Sequence, residues 1–279
     1  EVEAEFNWDE GGFGLKDLFG PKPVFTVAVA EKKALWVRLV AHGKPGHGGM
    51  PHDDNAANIL LRALQRVLKL NSQFELNPVA KEMFRKVAVM MPFPKSFLLK
   101  HLGNPIFFRL ALPALRSNGT IAAMLRDTVS ITVLKAGAKE NVIPETAEAT
   151  LDIRLLPDHT TPGFLDSLKN LIRDERVEIV VIQAPVEGKT SETGSEFYKT
   201  LATVLSELVP DSITAPMLTP GGTDSCHFRG KGVNCYGLFP SVIDPGEIKR
   251  FHGNDERISI ENLTLGTRIL YEVLCRMCV

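Results

Sequence analysis

The chain has 279 residues, 44% of them hydrophobic, enough for one large or two ordinary domains with a buried core at roughly 150 residues per domain. Its 32 Lys and Arg against 33 Asp and Glu leave a formal net charge of −1. That balance is too even to supply the basic field that nucleic acid or an anionic membrane requires, so neither is expected as a partner. The most tempting apolar run, 106–115, contains Arg109 and Pro113 and falls short of the roughly 18 uninterrupted apolar residues of a membrane span.

The four cysteines (Cys226, Cys235, Cys275 and Cys278) fall in the last quarter of the chain, which is no framework for a disulfide-stapled secreted fold and fits a reducing, cytoplasmic setting. Cys275 and Cys278 form a C-x-x-C without the second close pair that a zinc cluster wants. The first residue is Glu1 rather than Met, and no basic-plus-apolar signal segment precedes the fold. The chain therefore reads as part of a longer protein.

In chain order, 23–30 (PVFTVAVA) reads as a buried strand and 34–41 as a second, with the charged turn Glu31, Lys32 and Lys33 between them. Residues 55–70 place Ile59, Leu60, Ala63, Leu64, Val67 and Leu68 at helical spacing. From 77 to 125, apolar helical pieces are broken by Pro92, Pro94, Pro105 and Pro113. Its Met and Phe side chains suit either packing against the sheet of the 31–184 unit that the following strands complete or a wall for an acyl chain. Strands at 128–134 and 147–155, a helix at 161–174 and a strand at 177–183 follow. With the strand at 34 and its helix they complete the split βαβ plan of a ferredoxin-like α+β unit over 31–184. A helix at 195–208, a strand at 232–239 and a closing helix at 260–277 return to alternating α/β character, so that unit is inserted between the sheet-domain segments 1–30 and 185–279.

Four local patterns could carry chemistry. Asp9, Glu10, Gly11 and Gly12 put two carboxylates before two glycines, a place for a sharp turn that aims a carboxylate into a cleft or simply for an acidic turn. His47 lies among glycines in 43–51, where its ring is not packed over; a solvated loop histidine has the same spacing. Residues 220–225 (PGGTDS) expose backbone donors beside a hydroxyl and a carboxylate, between a helix and a strand, and an Asx-type turn would look alike. Ser225, flanked by Asp224 and Cys226, does not make a nucleophile elbow. His252, beside Gly253 and the acids Asp255 and Glu256, suits a zinc ligand with acceptors for its other ring nitrogen.

Taken in order, DEGG at 9–12, GKPGHGGMP at 43–51, NVIP at 141–144 followed by LDIR at 151–154, GGTDS at 221–225 and HGNDE at 252–256 resemble one family. It is the dizinc metallopeptidase and amidohydrolase family of aminoacylase, carboxypeptidase G, succinyl-diaminopimelate desuccinylase and carboxypeptidase S. The carboxypeptidase S and N-acyl-amino-acid hydrolase branch is the most similar. The resemblance implies a partial zinc-exopeptidase-like α/β catalytic sheet domain carrying an inserted α+β ferredoxin-like lid and dimerisation domain. It implies Asp9 as a ligand of one zinc and His252 of the other, and His47 as the lid histidine that serves the neighbouring subunit of a homodimer. Asn141 and Arg154 would meet the carboxylate end of an N-acyl amino acid or peptide, and Gly221, Gly222, Thr223 and Asp224 would line the cleft. An alternative alignment makes Asp9 and Glu10 the acidic pair of base and ligand. The further acidic ligand would then be Asp17 or Glu31, a poorer match to the spacing before the lid. The family's upstream His-x-Asp segment, bridging Asp and Glu-Glu pair have no counterpart here, so the chain alone is expected to be inactive. A non-catalytic dimerisation module and a synthase running the same chemistry backwards are the rival readings.

Overall fold

A computed structural model describes residues 3–16, 20, 22–248 and 250–278. The chain opens with strands β1 (Phe6–Leu15), β2 (Val24–Glu31), β3 (Lys33–His42) and the two-residue β4 (Gly46–His47), then helices α1 (Ala56–Val67), α2 (Pro78–Val87), α3 (Lys95–Lys100), α4 (Pro105–Ser117) and α5 (Gly119–Met124). Next come β5 (Thr128–Ala136), β6 (Val142–Ile143), β7 (Thr146–Leu155), α6 (Thr161–Ile172), β8 (Val177–Gln183), α7 (Glu196–Leu208) and β9 (Ile213–Thr219). The last elements are α8 (Ser225–Arg229), β10 (Asn234–Ile243), α9 (Pro245–Ile248) and α10 (Ile260–Met277). They divide into two compact units: Glu1–Lys32 with Glu75–Leu125 and Glu187–Val279, and Lys33–Phe74 with Arg126–Val186.

The first unit is built on a four-stranded sheet in the order β1-β10-β2-β9. β2 is buried on both faces, which is why its sequence, with Thr26 the only polar residue before Glu31, is a near-continuous apolar run rather than an alternating one. β9, absent from the sequence reading, contains Pro216, which removes a ladder donor. It survives because β9 is the edge strand, with Pro216 opposite Val27.

The expected sharp turn at Gly11 and Gly12 does not form, because β1 continues through both, with an irregularity in its register to β10 between Asp9 and Phe13. The glycines are needed for close approach. A Cβ on Gly12 would lie 1.7 Å from the Thr26 carbonyl oxygen, and one on Gly237 2.2 Å from the Glu10 carbonyl oxygen. Gly11 also has φ of 138°, a region L side chains rarely adopt.

The helical segment after residue 75 belongs to this sheet unit, not to the lid in which the sequence reading places it. Asn77 fixes it at both ends. Its Oδ1 accepts from Ala80 N at the start of α2, and its Nδ2 donates to Met124 O at the end of α5, each at 2.9 Å. Val79, Ala80, Met83, Phe84 and Val87 then bury one face of α2, which packs on β9 and β2.

The second unit has the strand order β5-β7-β3-β8, with β3 antiparallel to both neighbours. Alternating burial along β3 and β7 sends Leu35, Val37, Leu39 and Ala41, and Ala147, Ala149, Leu151, Ile153 and Leu155, to one face. There they meet Ile59, Leu60, Ala63 and Leu64 of α1 and Leu168 and Ile172 of α6. This is the ferredoxin-like βαββαβ arrangement the sequence predicts. The charged turn at 31–33 shrinks to Lys32 alone, between the end of β2 and the start of β3.

Candidate functional site

In the sheet unit the motifs at 9–12 and 221–225 meet. Asp9 Oδ2 accepts from Ser225 N at 2.9 Å and from Ser225 Oγ at 2.8 Å, while Oδ1 accepts from Glu10 N at 2.8 Å. Asp9 thereby supplies the cap at the start of α8 that the adjacent Asp224 side chain does not. Glu10 is exposed, whereas Asp9 is half-buried against Ser225. Asp17 lies outside the described residues.

Beside Asp9 a second carboxylate organises the same loop. Glu31 Oε2 accepts from Thr223 N at 2.7 Å and Thr223 Oγ1 at 3.3 Å, and its Oε1 accepts from Arg229 Nη1 at 2.5 Å. The Glu31 and Arg229 side chains are only 8% and 4% exposed, so this is a buried ion pair. Arg229 Nη2 reaches the carbonyls of Ala28 (3.3 Å) and Cys235 (2.9 Å), and Ser191 Oγ donates to the Cys235 carbonyl and accepts from its N–H, both at 2.8 Å. Together they bridge β2 and β10, whose direct register is the single pair Gly237 and Ala28. Arg229 and Ser191 belong to no motif. A signal for Glu31 exists: a carboxylate ending a strand that is apolar but for Thr26 must find a partner inside.

Gly221, Gly222 and Asp224 are exposed, and the loop lies between β9 and α8 rather than between a helix and a strand. His252 is an exposed residue with φ of 59°, whose N–H donates to Glu256 Oε2 at 3.0 Å. Its neighbour Phe251 packs on Phe13 of β1, ring centroids 5.2 Å apart, and with Glu256 and Lys16 lines a cavity of about 600 Å³. Among the described residues no group of three or more His, Cys, Asp or Glu could hold a metal ion. A catalytic zinc takes three protein ligands and a water. The residues present therefore do not fit a zinc centre unaided.

In the second unit the structure joins His47 and Asn141. β4 pairs with β6, His47 opposite Val142, and Gly48 N donates to the Asn141 carbonyl at 2.8 Å. A Cβ on Gly48 would press to 3.3 Å on the Asn141 backbone, so the loop's small residues permit the approach. The exposed His47 ring accepts from Gly49 N at Nδ1, 3.0 Å away. A backbone N–H can only donate, so a neutral ring carries its proton on Nε2. Arg154 is not brought to this place. From Thr146, at the end of β7 nearest β6, to Arg154 is eight residues, or about 26 Å of strand. There Arg154 pairs with Asp152 through Nε (2.7 Å) and Nη2 (3.1 Å).

Residues 29–180 match the family model of the peptidase dimerisation domain. The human N-fatty-acyl-amino acid synthase/hydrolase PM20D1 is 30% identical over 280 residues, covering 98% of this chain and 55% of its own length. The probable carboxypeptidase S-like 2 of Dictyostelium discoideum is 31% identical over 274 residues, covering 92% and 50%. The crystal structure of the M20 family metallo-carboxypeptidase Sso-CP2 from Sulfolobus solfataricus superposes with a TM-score of 0.62 at 16% identity, over 98% of this chain and 63% of that one. The chain thus spans about half the length of the curated relatives it matches. With a dimerisation-domain match over more than half its residues, the chain belongs to the M20 peptidase dimerisation family.

Proposed function

We propose that the protein to which this chain belongs hydrolyses an amide or peptide bond next to a free carboxylate, in an N-acyl amino acid or a small peptide. His47 carries the reading: an exposed imidazole of defined tautomer, beside Asn141, on a glycine-rich loop of a dimerisation fold. Its Nε2–H is a suitable donor to the oxyanion that develops when an amide carbonyl is attacked, and removing such a donor typically costs about 3–4 kcal/mol of barrier. One small substrate cannot span the distance from His47 to Arg154 within a single lid, so in a two-fold dimer His47 serves the partner's substrate. Arg154 holds the substrate carboxylate through N–H groups that Asp152 leaves available. Asp9 and His252 contribute one ligand each to two zinc ions whose remaining ligands lie outside the described residues, so the chain alone is inactive.

The test is a series of N-acyl amino acids, from acetyl to long acyl, on the zinc-loaded full-length protein with its His47→Ala variant. A kcat reduced about 10²–10³-fold with little change in KM is expected of a lost oxyanion donor. Unchanged turnover in His47→Ala, or a strict monomer with full activity, would count against it. The human relative's name couples synthesis to hydrolysis, so free amine and fatty acid belong in the same assay.

A further inference from the structure

The even whole-chain charge conceals one strongly uneven segment. Residues 83–125 contain no Asp or Glu and six Lys or Arg: Arg85, Lys86, Lys95, Lys100, Arg109 and Arg116. This segment contributes +6, so the remainder of the chain carries −1 − 6 = −7. It also carries large apolar side chains that the fold does not cover: Phe93 is 81% exposed, Ile106 68% and Leu110 65%.

These residues lie on and beside α3 and α4, a projection whose outward tips the fold leaves exposed. The Phe97 and Phe107 rings meet edge to face, centroids 5.5 Å apart, and tie α3 to α4. On α4 the buried residues are Ala111 and Leu115, whereas Ile106, Arg109, Leu110 and Pro113 recur at i, i+3, i+4 and i+7 on the opposite face. Phe93, Lys95 and Lys100 lie just before this face in the chain, on and beside α3. The inward half of the segment packs as core, and the outward half combines apolar tips with cations.

We propose that this projection docks the protein on an anionic lipid surface, with Phe93, Ile106 and Leu110 entering the interface and Lys95, Lys100 and Arg109 facing the headgroups. The charge argues for that occupant. Two copies meeting through this face would oppose like charges across a two-fold axis, and apolar tips of this size gain nothing from a phosphate backbone alone. No helix among the described residues is long and apolar enough to cross a membrane, so the docking is peripheral. The inference does not depend on the hydrolase reading, because its test needs no turnover.

The experiment is cosedimentation of the chain with phosphatidylcholine vesicles containing zero to about 30% phosphatidylserine, at about 0.1 M and about 0.5 M salt. Two triple variants are compared: Phe93→Ser with Ile106→Ser and Leu110→Ser, and Lys95→Glu with Lys100→Glu and Arg109→Glu. All six side chains are exposed, so circular dichroism should show both variants folded. Partitioning should rise with phosphatidylserine, fall in high salt, and drop at least about tenfold in each variant. A Phe93→Trp variant should be quenched by brominated lipid. Three results would each overturn the proposal: no partitioning in lipid excess, partitioning indifferent to the apolar substitutions, or a single-stranded oligonucleotide that binds wild type and the serine variant equally and displaces the vesicles.

Discussion

Replacing Arg229 with Met removes the cation from a pair whose side chains are 4% and 8% exposed. Glu31 Oε1 then loses its Arg229 donor, and the carbonyls of Ala28 and Cys235 lose theirs. Breaking a buried pair from one side costs about 3–5 kcal/mol, because the remaining charge stays desolvated. Glu31→Gln should cost somewhat less, about 3 kcal/mol, since Arg229 keeps its carbonyl acceptors. The double variant should cost about as much as Arg229→Met alone, leaving a coupling near 3 kcal/mol. The two tryptophans make the assay selective: Trp8, with its Nε1–H on the Leu238 carbonyl, lies in the sheet unit, whereas Trp36 lies in the other. In a Trp36→Phe background, urea unfolding followed by Trp8 fluorescence should show the Arg229→Met midpoint lowered by about 2 M, for a slope near 2 kcal/mol/M. A loss under about 1 kcal/mol, or additive single variants, would refute the view that this pair closes the seam between β2 and β10.

Gly12→Ala should destabilise the same unit by about 3 kcal/mol or more, since its Cβ would sit 1.7 Å from the Thr26 carbonyl; an unchanged midpoint would mean β1 can shift freely. Burial holds the Cys235 and Cys226 thiols above the ordinary thiol range, so less thiolate is present at about pH 8. Timed alkylation with mass mapping should find both slower than the exposed Cys275 and Cys278. If the proposed homodimer forms through the outward face of α1, Leu61→Asp with Leu68→Asp, which places charges on the exposed Leu61 of α1 and on its C-cap Leu68, should shift dimer to monomer in sedimentation velocity and leave the buried face of α1 intact.

The lid was legible because its strands bury one face each. Alternation along β3 and β7, and the 3.6-residue spacing of α1 and α6, encode a one-sided core directly. The sheet unit hides its rules. β9 contains a proline that argues against a strand until its edge position is known, and Gly11 and Gly12 look like a turn until β2 and β10 are seen pressing against β1. Long-range contacts decide both, and no local window contains them. The spacing identifies the helical segment as helices but places it on the lid sheet rather than on β9 and β2, because apolar periodicity states that a face is buried without naming its partner.

The same distinction applies to the candidate site. As isolated strings, DEGG and GGTDS each have an ordinary turn as a competing explanation, and spacing along the chain cannot decide between them. In the fold, Asp9 holds Ser225 while Glu31 holds Thr223, so two carboxylates from the strands on either side of β10 grip alternate residues of one loop. That grip fixes where Gly221 and Gly222 present their backbone and turns Asp9 toward the loop rather than into solvent. A carboxylate already accepting three hydrogen bonds is oriented before any ligand arrives, so its loss should be felt first in the shape of the loop. Asp9→Ala removes every one of these acceptors and leaves the Ser225 N–H and Oγ without this partner. It should therefore loosen residues 221–225 in amide exchange even without metal. If those amides keep wild-type protection, Asp9 is no organiser of the loop, and a role for it must rest on ligation alone.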